Sequence, residues 1–217
     1  MRTSWVTFDC YGTLIDWEGG IRRFIAALPG VRDPDSFMQE WEEIQFQMLH
    51  EPYNRYREIL AASLRETQSR HHLPYHPQQG FDFAEALCGW TPFPDTNPAL
   101  EKLRARGFKL GIISNIDDNL LQRTLRHFTT PFDLLVTAEQ SGAYKPDPKP
   151  FRLALERIGG SPADVTHVAF GERYDLDTAR SCGMKVVFVA RNGKRTSVAA
   201  DAEIHTLEAL PGLLEKP

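Results

Sequence analysis

The sequence predicts an α/β fold in which a Rossmann-like parallel sheet core is interrupted by an inserted α-helical segment. Three observations carry that reading. The chain opens on a short β-like run, Trp5 to Phe8; it then turns helical and stays so to about residue 90. From there strand and helix patterns alternate, as they do where parallel strands are joined by crossover helices.

The elements follow in order. Trp5, Val6, Thr7 and Phe8 are branched or aromatic residues that favour a strand, and Gly12 lets the backbone leave it sharply after Asp9. Ile21, Phe24, Ile25 and Leu28 then recur at helical spacing, as do Phe37, Trp41, Ile44 and Met48, and Tyr56, Ile59, Leu60 and Leu64. Gly30 and Pro34 punctuate the first pair, Asp35-Ser36 reads as a helix start, and the His71 to Pro77 stretch ends the third helix. Thr91-Pro92-Phe93-Pro94-Asp95 is the return hinge. Strands are then expected at Lys109–Ile113, Leu134–Val136, Val165–Ala169 and Lys185–Val189. Helices are expected at Leu120–Phe128, Phe151–Ile158 and Asp175–Cys182, with Leu207 to Pro217 closing the chain. This gives a core at 1–16 and 91–217 and a helical domain at 17–90.

Composition limits the classes of function. The chain has 217 residues, 41% of them hydrophobic, enough for one core domain with a modest insertion. A net charge of −4 gives no general attraction to nucleic acid or anionic membrane, and there is no apolar run long enough to span a bilayer. Met1-Arg2-Thr3-Ser4 leads directly into the first strand, so no cleaved signal and a cytoplasmic location are expected. Cys10, Cys88 and Cys182 lack metal-ligand spacing and read as reduced structural thiols. His71, His72 and His76 cluster, but no cysteine or acidic partner completes a four-ligand set, so a solvated, proline-rich turn is the reading.

The chemistry-bearing candidates lie at strand ends. Asp9 stands at the carboxyl edge of a sheet, where ligands bind in open α/β folds, and a carboxylate held ionised there serves either as a covalent nucleophile or as a turn cap. Ser114 and Asn115 end the strand at 109–113 and suit either an anion or a helix cap. Lys145, between Tyr144 and Pro146, is delivered by a stiff backbone, as a site ammonium or as a solvated lysine.

Four stretches, taken in order, resemble the haloacid dehalogenase-like hydrolase superfamily along nearly the whole chain. They are Phe8-Asp9-Cys10-Tyr11-Gly12-Thr13-Leu14, Gly111-Ile112-Ile113-Ser114-Asn115, Tyr144-Lys145-Pro146-Asp147-Pro148, and Asp175 ahead of Thr178-Ala179-Arg180-Ser181-Cys182-Gly183-Met184. The resemblance implies catalytic roles for Asp9 as nucleophile, Thr13 and Ser114 as hydroxyls, Lys145 as a charge-stabilising ammonium and Asp175 as an acidic partner. It implies substrate binding by Tyr11 and Asn115, and a helical cap at 17–90 over the catalytic edge.

Two differences select a branch. Phosphatases of the superfamily carry a general-acid aspartate two positions after the nucleophile, where this chain has Tyr11. They also carry Gly-Asp-x-x-x-x-Asp near the fourth motif, and Phe170 stands where the first of those aspartates belongs. A poor alkoxide leaving group benefits from an acid, whereas a halide leaves without one. The match is therefore to the type II 2-haloacid dehalogenases, which share Asp-x-Tyr-Gly-Thr. This implies halide displacement from a small 2-haloacid-like substrate through an aspartyl ester, with no cofactor and no metal ligand; a magnesium-dependent phosphatase is the alternative, with Mg2+ as its cofactor. The chain departs from that branch at Glu42, where a carboxylate-pairing arginine is expected, at Phe151 in place of tyrosine and at Glu172 in place of asparagine. The implied partner is a small-molecule substrate, with no nucleic acid and no membrane, and a homodimer is possible by analogy.

Overall fold

In the computed structural model, which describes residues 4–193 and 195–214, six parallel strands form one sheet. They are β1 (Trp5–Phe8), β2 (Lys109–Ser114), β3 (Leu134–Thr137), β4 (Val165–Ala169), β5 (Lys185–Val189) and β6 (Ala202–Ile204), in the order β3-β2-β1-β4-β5-β6. The chain winds outward from β1 in two directions, so the order reverses between β1 and β4. Ligands of open α/β sheets bind outside the carboxyl ends of the strands at such a reversal. Strands covered on both faces read as continuous apolar runs, and every residue of β4 and all but the first of β5 is buried.

The chain divides into two compact units. The first comprises Met1–Asp16, Pro92–Asn115 and Arg126–Pro217 and holds the whole sheet. Its core joins Ile113, Val136, Phe151, Leu176, Val186 and Phe188. A buried ion pair ties its outlying loops together. Both terminal nitrogens of the Arg191 guanidinium donate to the Asp95 carboxylate at 2.7 and 3.0 Å, and one also donates to the Thr13 carbonyl at 2.8 Å. Asp95 accepts the Leu207 amide as well, and the guanidinium lies 4.0 Å from the Phe93 ring centre.

The second unit, Trp17–Thr91 with Ile116–Leu125, is helical. Its helices include α1 (Trp17–Ala26), α2 (Pro34–Met48), α3 (Tyr56–Arg70) and α4 (Pro77–Leu87). Phe83 gathers its aromatic core, stacked on Phe24 at 4.3 Å and tilted against Trp41 at 5.3 Å. The Trp41 indole N–H donates to Ser63 Oγ at 2.9 Å, which satisfies the one polar atom of an otherwise apolar ring. Asp117 accepts the Tyr56 and Arg57 amides at 2.7 and 3.0 Å, placing a carboxylate at the positive end of α3.

Several sequence expectations shift. The second helix is capped by Asp33, which accepts the Asp35 and Ser36 amides, rather than beginning at Asp35-Ser36. Within the histidine-rich stretch, His76 caps α4 through Nδ1 and His71 lies 2.9 Å from a Glu40 oxygen. The proline-rich turn therefore ends in a helix start, and the whole of α4 lay hidden behind it. The helix expected at 120–128 runs from Asp118 to Thr124 and tightens into a 3-10 turn over Leu125–His127. The helix expected from Asp175 begins as a π-turn over Glu172–Leu176 and becomes α only at Asp177. The closing segment is a 3-10 turn and a four-residue helix, Leu210–Leu213; residues 215–217 lie outside the described residues.

Removing one member of a buried ion pair leaves an uncompensated charge. Asp95→Ala is therefore expected to cost about 3–5 kcal/mol of unfolding free energy, measured in denaturant titrations.

Candidate active site

Asp9 follows β1 directly and its amide donates to the Val168 carbonyl of β4 at 3.1 Å, which anchors it at the reversal of the sheet. The residue is 7% exposed, and each carboxylate oxygen accepts a hydrogen bond. Lys145 Nζ donates to Oδ1 at 2.9 Å and the Thr13 hydroxyl donates to Oδ2 at 2.9 Å. Thr13 Oγ1 in turn accepts the Phe170 amide at 3.0 Å, so the hydroxyl's own proton is directed to Asp9. Gly12 makes the turn possible: its φ is +99°, and a Cβ there would lie 2.1 Å from the Phe170 ring.

Lys145 is 1% exposed, and its ammonium spends three donors on three strand ends. Beyond Asp9 it donates to the Ile113 carbonyl of β2 at 2.9 Å and to Asp175 Oδ1 at 2.6 Å. Its backbone is held by Asn115, whose side-chain oxygen accepts the Lys145 amide at 2.7 Å and whose side-chain nitrogen donates to the Lys145 carbonyl at 2.9 Å. The Thr178 hydroxyl donates to the next carbonyl, that of Pro146, at 3.0 Å. Asp175, 2% exposed, also accepts from His167 Nε2 at 3.0 Å.

The structure thus joins Asp9, Thr13, Lys145 and Asp175 in one hydrogen-bonded group. Ser114 closes β2 and is buried beside Ile113. Asn115, expected to meet substrate, has both atoms of its amide engaged with the Lys145 main chain. Tyr11 is half-buried in the turn after Asp9 and bridges to Ile15. Of the departures from the family pattern, Phe151 is buried edge-on to His167 and Glu172 accepts both the amide and the hydroxyl of Ser197. His167 was not anticipated; the available signal was a lone histidine inside the apolar run Val165–Ala169.

The electrostatics follow from two buried carboxylates sharing one ammonium. Burial pushes the Asp9 carboxyl above its ordinary range, with Lys145 pulling it partly back and Asp175 adding to the rise. For Asp175 burial is outweighed by Lys145 and His167, which hold it below the ordinary range. For Lys145 burial opposes the charge, but the two carboxylates hold its ammonium above the usual value. Asp9 is therefore the more basic carboxylate of the two and the better electron-pair donor. Burial and the adjacent Asp9 raise the Cys10 thiol well above its ordinary range, which keeps it inert beside the site.

A divalent cation does not fit this donor set. Asp9 Oδ1 and Asp175 Oδ1 both face the Lys145 ammonium, and Phe170, which offers no oxygen ligand, stands where the family's metal-holding aspartate would be. Among the described residues no group of three or more histidines, cysteines or acidic residues is arranged to hold a metal ion.

Residues 3–183 match the family model of the haloacid dehalogenase-like hydrolases. The chain is 29% identical over 197 residues to an (S)-2-haloacid dehalogenase of Xanthobacter autotrophicus, covering 86% of this chain and 74% of that one. It is 26% identical over 218 residues to an (S)-2-haloacid dehalogenase of Pseudomonas sp. strain YL, covering 97% and 94%. The fold also matches the structure of the L-2-haloacid dehalogenase of Xanthobacter autotrophicus with chloropropionic acid covalently bound, with a TM-score of 0.86, 24% identity and 98% of each chain covered.

The opposite shifts of the two carboxylates have opposite consequences for stability. Folding raises the Asp9 pKa, so its charge at neutral pH costs stability, and Asp9→Asn should raise Tm by about 2–4 °C. Folding lowers the Asp175 pKa, so its contribution is present above its unfolded pKa and is lost as pH falls through the folded one. Asp175→Asn should lower Tm, and Lys145→Met, which leaves two buried carboxylates unpaired, should cost about 3–5 kcal/mol. Thermal melts of the three variants at neutral pH would check the ordering.

Proposed function

The chain belongs to the haloacid dehalogenase-like hydrolases, and from that premise we propose that it displaces halide from a small 2-haloacid by way of an ester on Asp9. The observation that carries this reading is a basic, buried carboxylate at the sheet reversal with Lys145 and Thr13 on its two oxygens and no carboxylic acid beside it. Tyr11 and Phe170 stand where a phosphatase would need a proton donor and a metal ligand. Halide is a weak base that needs neither. The names of the related enzymes support the same substrate class.

The reaction has two steps. One oxygen of Asp9 attacks the carbon bearing the halogen from the side opposite the leaving group. The new C–O bond forms as the C–X bond breaks, and the halide departs with the bonding pair. Asp9 is then a neutral ester and its share of the cluster's charge has left with the halide. Water next adds to the ester carbonyl carbon, and the Lys145 ammonium and Thr13 hydroxyl stabilise the negative charge that develops on the carbonyl oxygen. Collapse breaks the bond between the carbonyl carbon and the alkoxide oxygen, one proton of the water passes to that oxygen to give the hydroxy acid, the other is released to solvent, and Asp9 is regenerated carrying one oxygen from water. Asp175 orients Lys145, Ser114 contributes its hydroxyl, Tyr11 contacts the substrate, and Asn115 positions the lysine.

The same proposal places the enzyme in the cytoplasm, where Cys10, Cys88 and Cys182 remain free thiols. No helix among the described residues is long and apolar enough to cross a membrane. A homodimer, expected by analogy, would show in gel filtration.

The test is halide release from both enantiomers of a panel of 2-haloacids in the presence of a chelator. Release should persist with the chelator and disappear in Asp9→Asn, and a single turnover in H2 18O should label Asp9 itself. Halide release that requires added magnesium, or label found only in the product, would refute the mechanism. No release from any haloacid, with magnesium-dependent phosphate-ester hydrolysis instead, would replace dehalogenation with the phosphatase reading.

A further inference from the structure

His167 lies in the middle of β4, is wholly buried, and has a hydrogen-bond partner on each ring nitrogen. Nε2 lies 3.0 Å from Asp175 Oδ1 and Nδ1 lies 3.0 Å from Thr7 Oγ1 on the neighbouring strand β1. Register fixes this pairing, since Thr7 and His167 are direct partners across β1 and β4. The Phe151 ring closes the site edge-on, with centroids 5.1 Å apart, so the imidazole has an apolar wall and two polar contacts.

The donor and acceptor assignment follows from chemistry. Asp175, held ionised, only accepts, so Nε2 carries a proton. With the ring proton on Nε2, Nδ1 is the acceptor and the Thr7 hydroxyl is the donor that faces it. The hydrogen-bonded order is Thr7 to His167 to Asp175, where it meets the Lys145 ammonium that also reaches Asp9. Lys145 and His167 donate to the same oxygen of Asp175. Two carboxylates, Asp9 and Asp175, thus share one ammonium in a buried place. The His167 N–H is the further donor that steadies Asp175.

We propose that His167 is a positioning residue of the hydrolytic reaction: with its tautomer set by Thr7, it holds Asp175 ionised and fixed so that the Lys145 ammonium stays shared with Asp9. This rests on the aspartyl-ester reading above. When Asp9 becomes an ester it loses its charge, and Asp175 is left as the carboxylate partner of Lys145. An Asp175 unsupported by His167 turns or takes up a proton, and the ammonium is then misplaced for the developing oxyanion.

The charged and titratable groups facing Asp175 among the described residues are Lys145, His167 and Asp9. Loss of the His167 hydrogen bond removes one influence that keeps Asp175 below the ordinary range, so the acid limb of kcat, read while Asp9 is an ester and Asp175 is the carboxylate left to titrate, moves to higher pH.

Three variants and one spectrum test this. His167→Leu keeps the volume without the donor, His167→Gln keeps an N–H directed at Asp175, and Thr7→Val removes the group that sets the tautomer. With a 2-haloacid as substrate, His167→Leu should lower kcat about 10–100-fold, the range for losing an outer hydrogen-bond partner of a reacting group. KM should stay nearly constant, the acid limb of kcat should shift upward, and His167→Gln should recover most of the loss. In native protein labelled with 15N-histidine, the His167 signal, assigned by its absence in His167→Gln, should show a protonated Nε2. Equal losses in His167→Leu and His167→Gln, an unmoved pH limb, or an Nε2 without a proton would overturn the proposal. If the native enzyme releases no halide at all, the dehalogenase reading fails by itself, while the spectrum still decides whether His167 donates to Asp175.

Discussion

The Lys145 ammonium is the interaction on which the rest of the site depends. It is buried and spends its three protons on the carboxylate after β1, a carbonyl of β2 and the carboxylate after β4, so it ties three adjacent strand ends together. A buried ammonium is tolerated only when its charge and its donors are all met, and here both requirements are filled by groups the chemistry also needs. Lys145 in turn depends on Asn115, which grips its amide and carbonyl, and on Thr178, which holds the following residue. The Asp9 carboxylate is therefore positioned through a lysine whose own backbone is fixed.

The turn after Asp9 is held from the other side. Thr13 donates its hydroxyl proton to Asp9 while its carbonyl accepts from Arg191, which is itself fixed by Asp95. One ion pair thus supports the reacting group and another supports the loop beside it. In the first, burial and the nearby Asp175 make Asp9 more basic; the second spans the return hinge and the segment after β5.

The branch of the family follows from what stands beside Asp9. The same sheet, lysine and paired carboxylates would serve phosphate chemistry if a second aspartate replaced Tyr11 and an oxygen ligand replaced Phe170. With an aromatic ring packed over Gly12 and a phenol in the turn, neither position offers a carboxylate. That combination suits displacement of a weakly basic leaving group, which is why the proposed chemistry is dehalogenation.

Much of this was legible in the chain. The strand runs at Trp5–Phe8, Val165–Ala169 and Lys185–Val189 coincide with the observed strands, because apolar periodicity and β-branching act locally. Asp9, Thr13, Lys145 and Asp175 stood out because their residue types and order matched a known pattern. The helix Pro77–Leu87 was masked by the prolines and histidines at its start. The strand Ala202–Ile204 is only three residues long, and pairing with β5, rather than any strong propensity, makes it a strand.

By itself the sequence determined the fold class and marked Asp9, with Tyr11 rather than a second aspartate two positions on, as the candidate nucleophile. The tertiary structure decided the partnerships. His167 meets Thr7 across 160 residues, Asn115 meets Lys145 across 30 and Arg191 meets Asp95 across 96. Local sequence sets which conformations a segment prefers, whereas the order in which parallel strands line up sets which distant side chains share a buried oxygen. That order is fixed only when the sheet closes on its core.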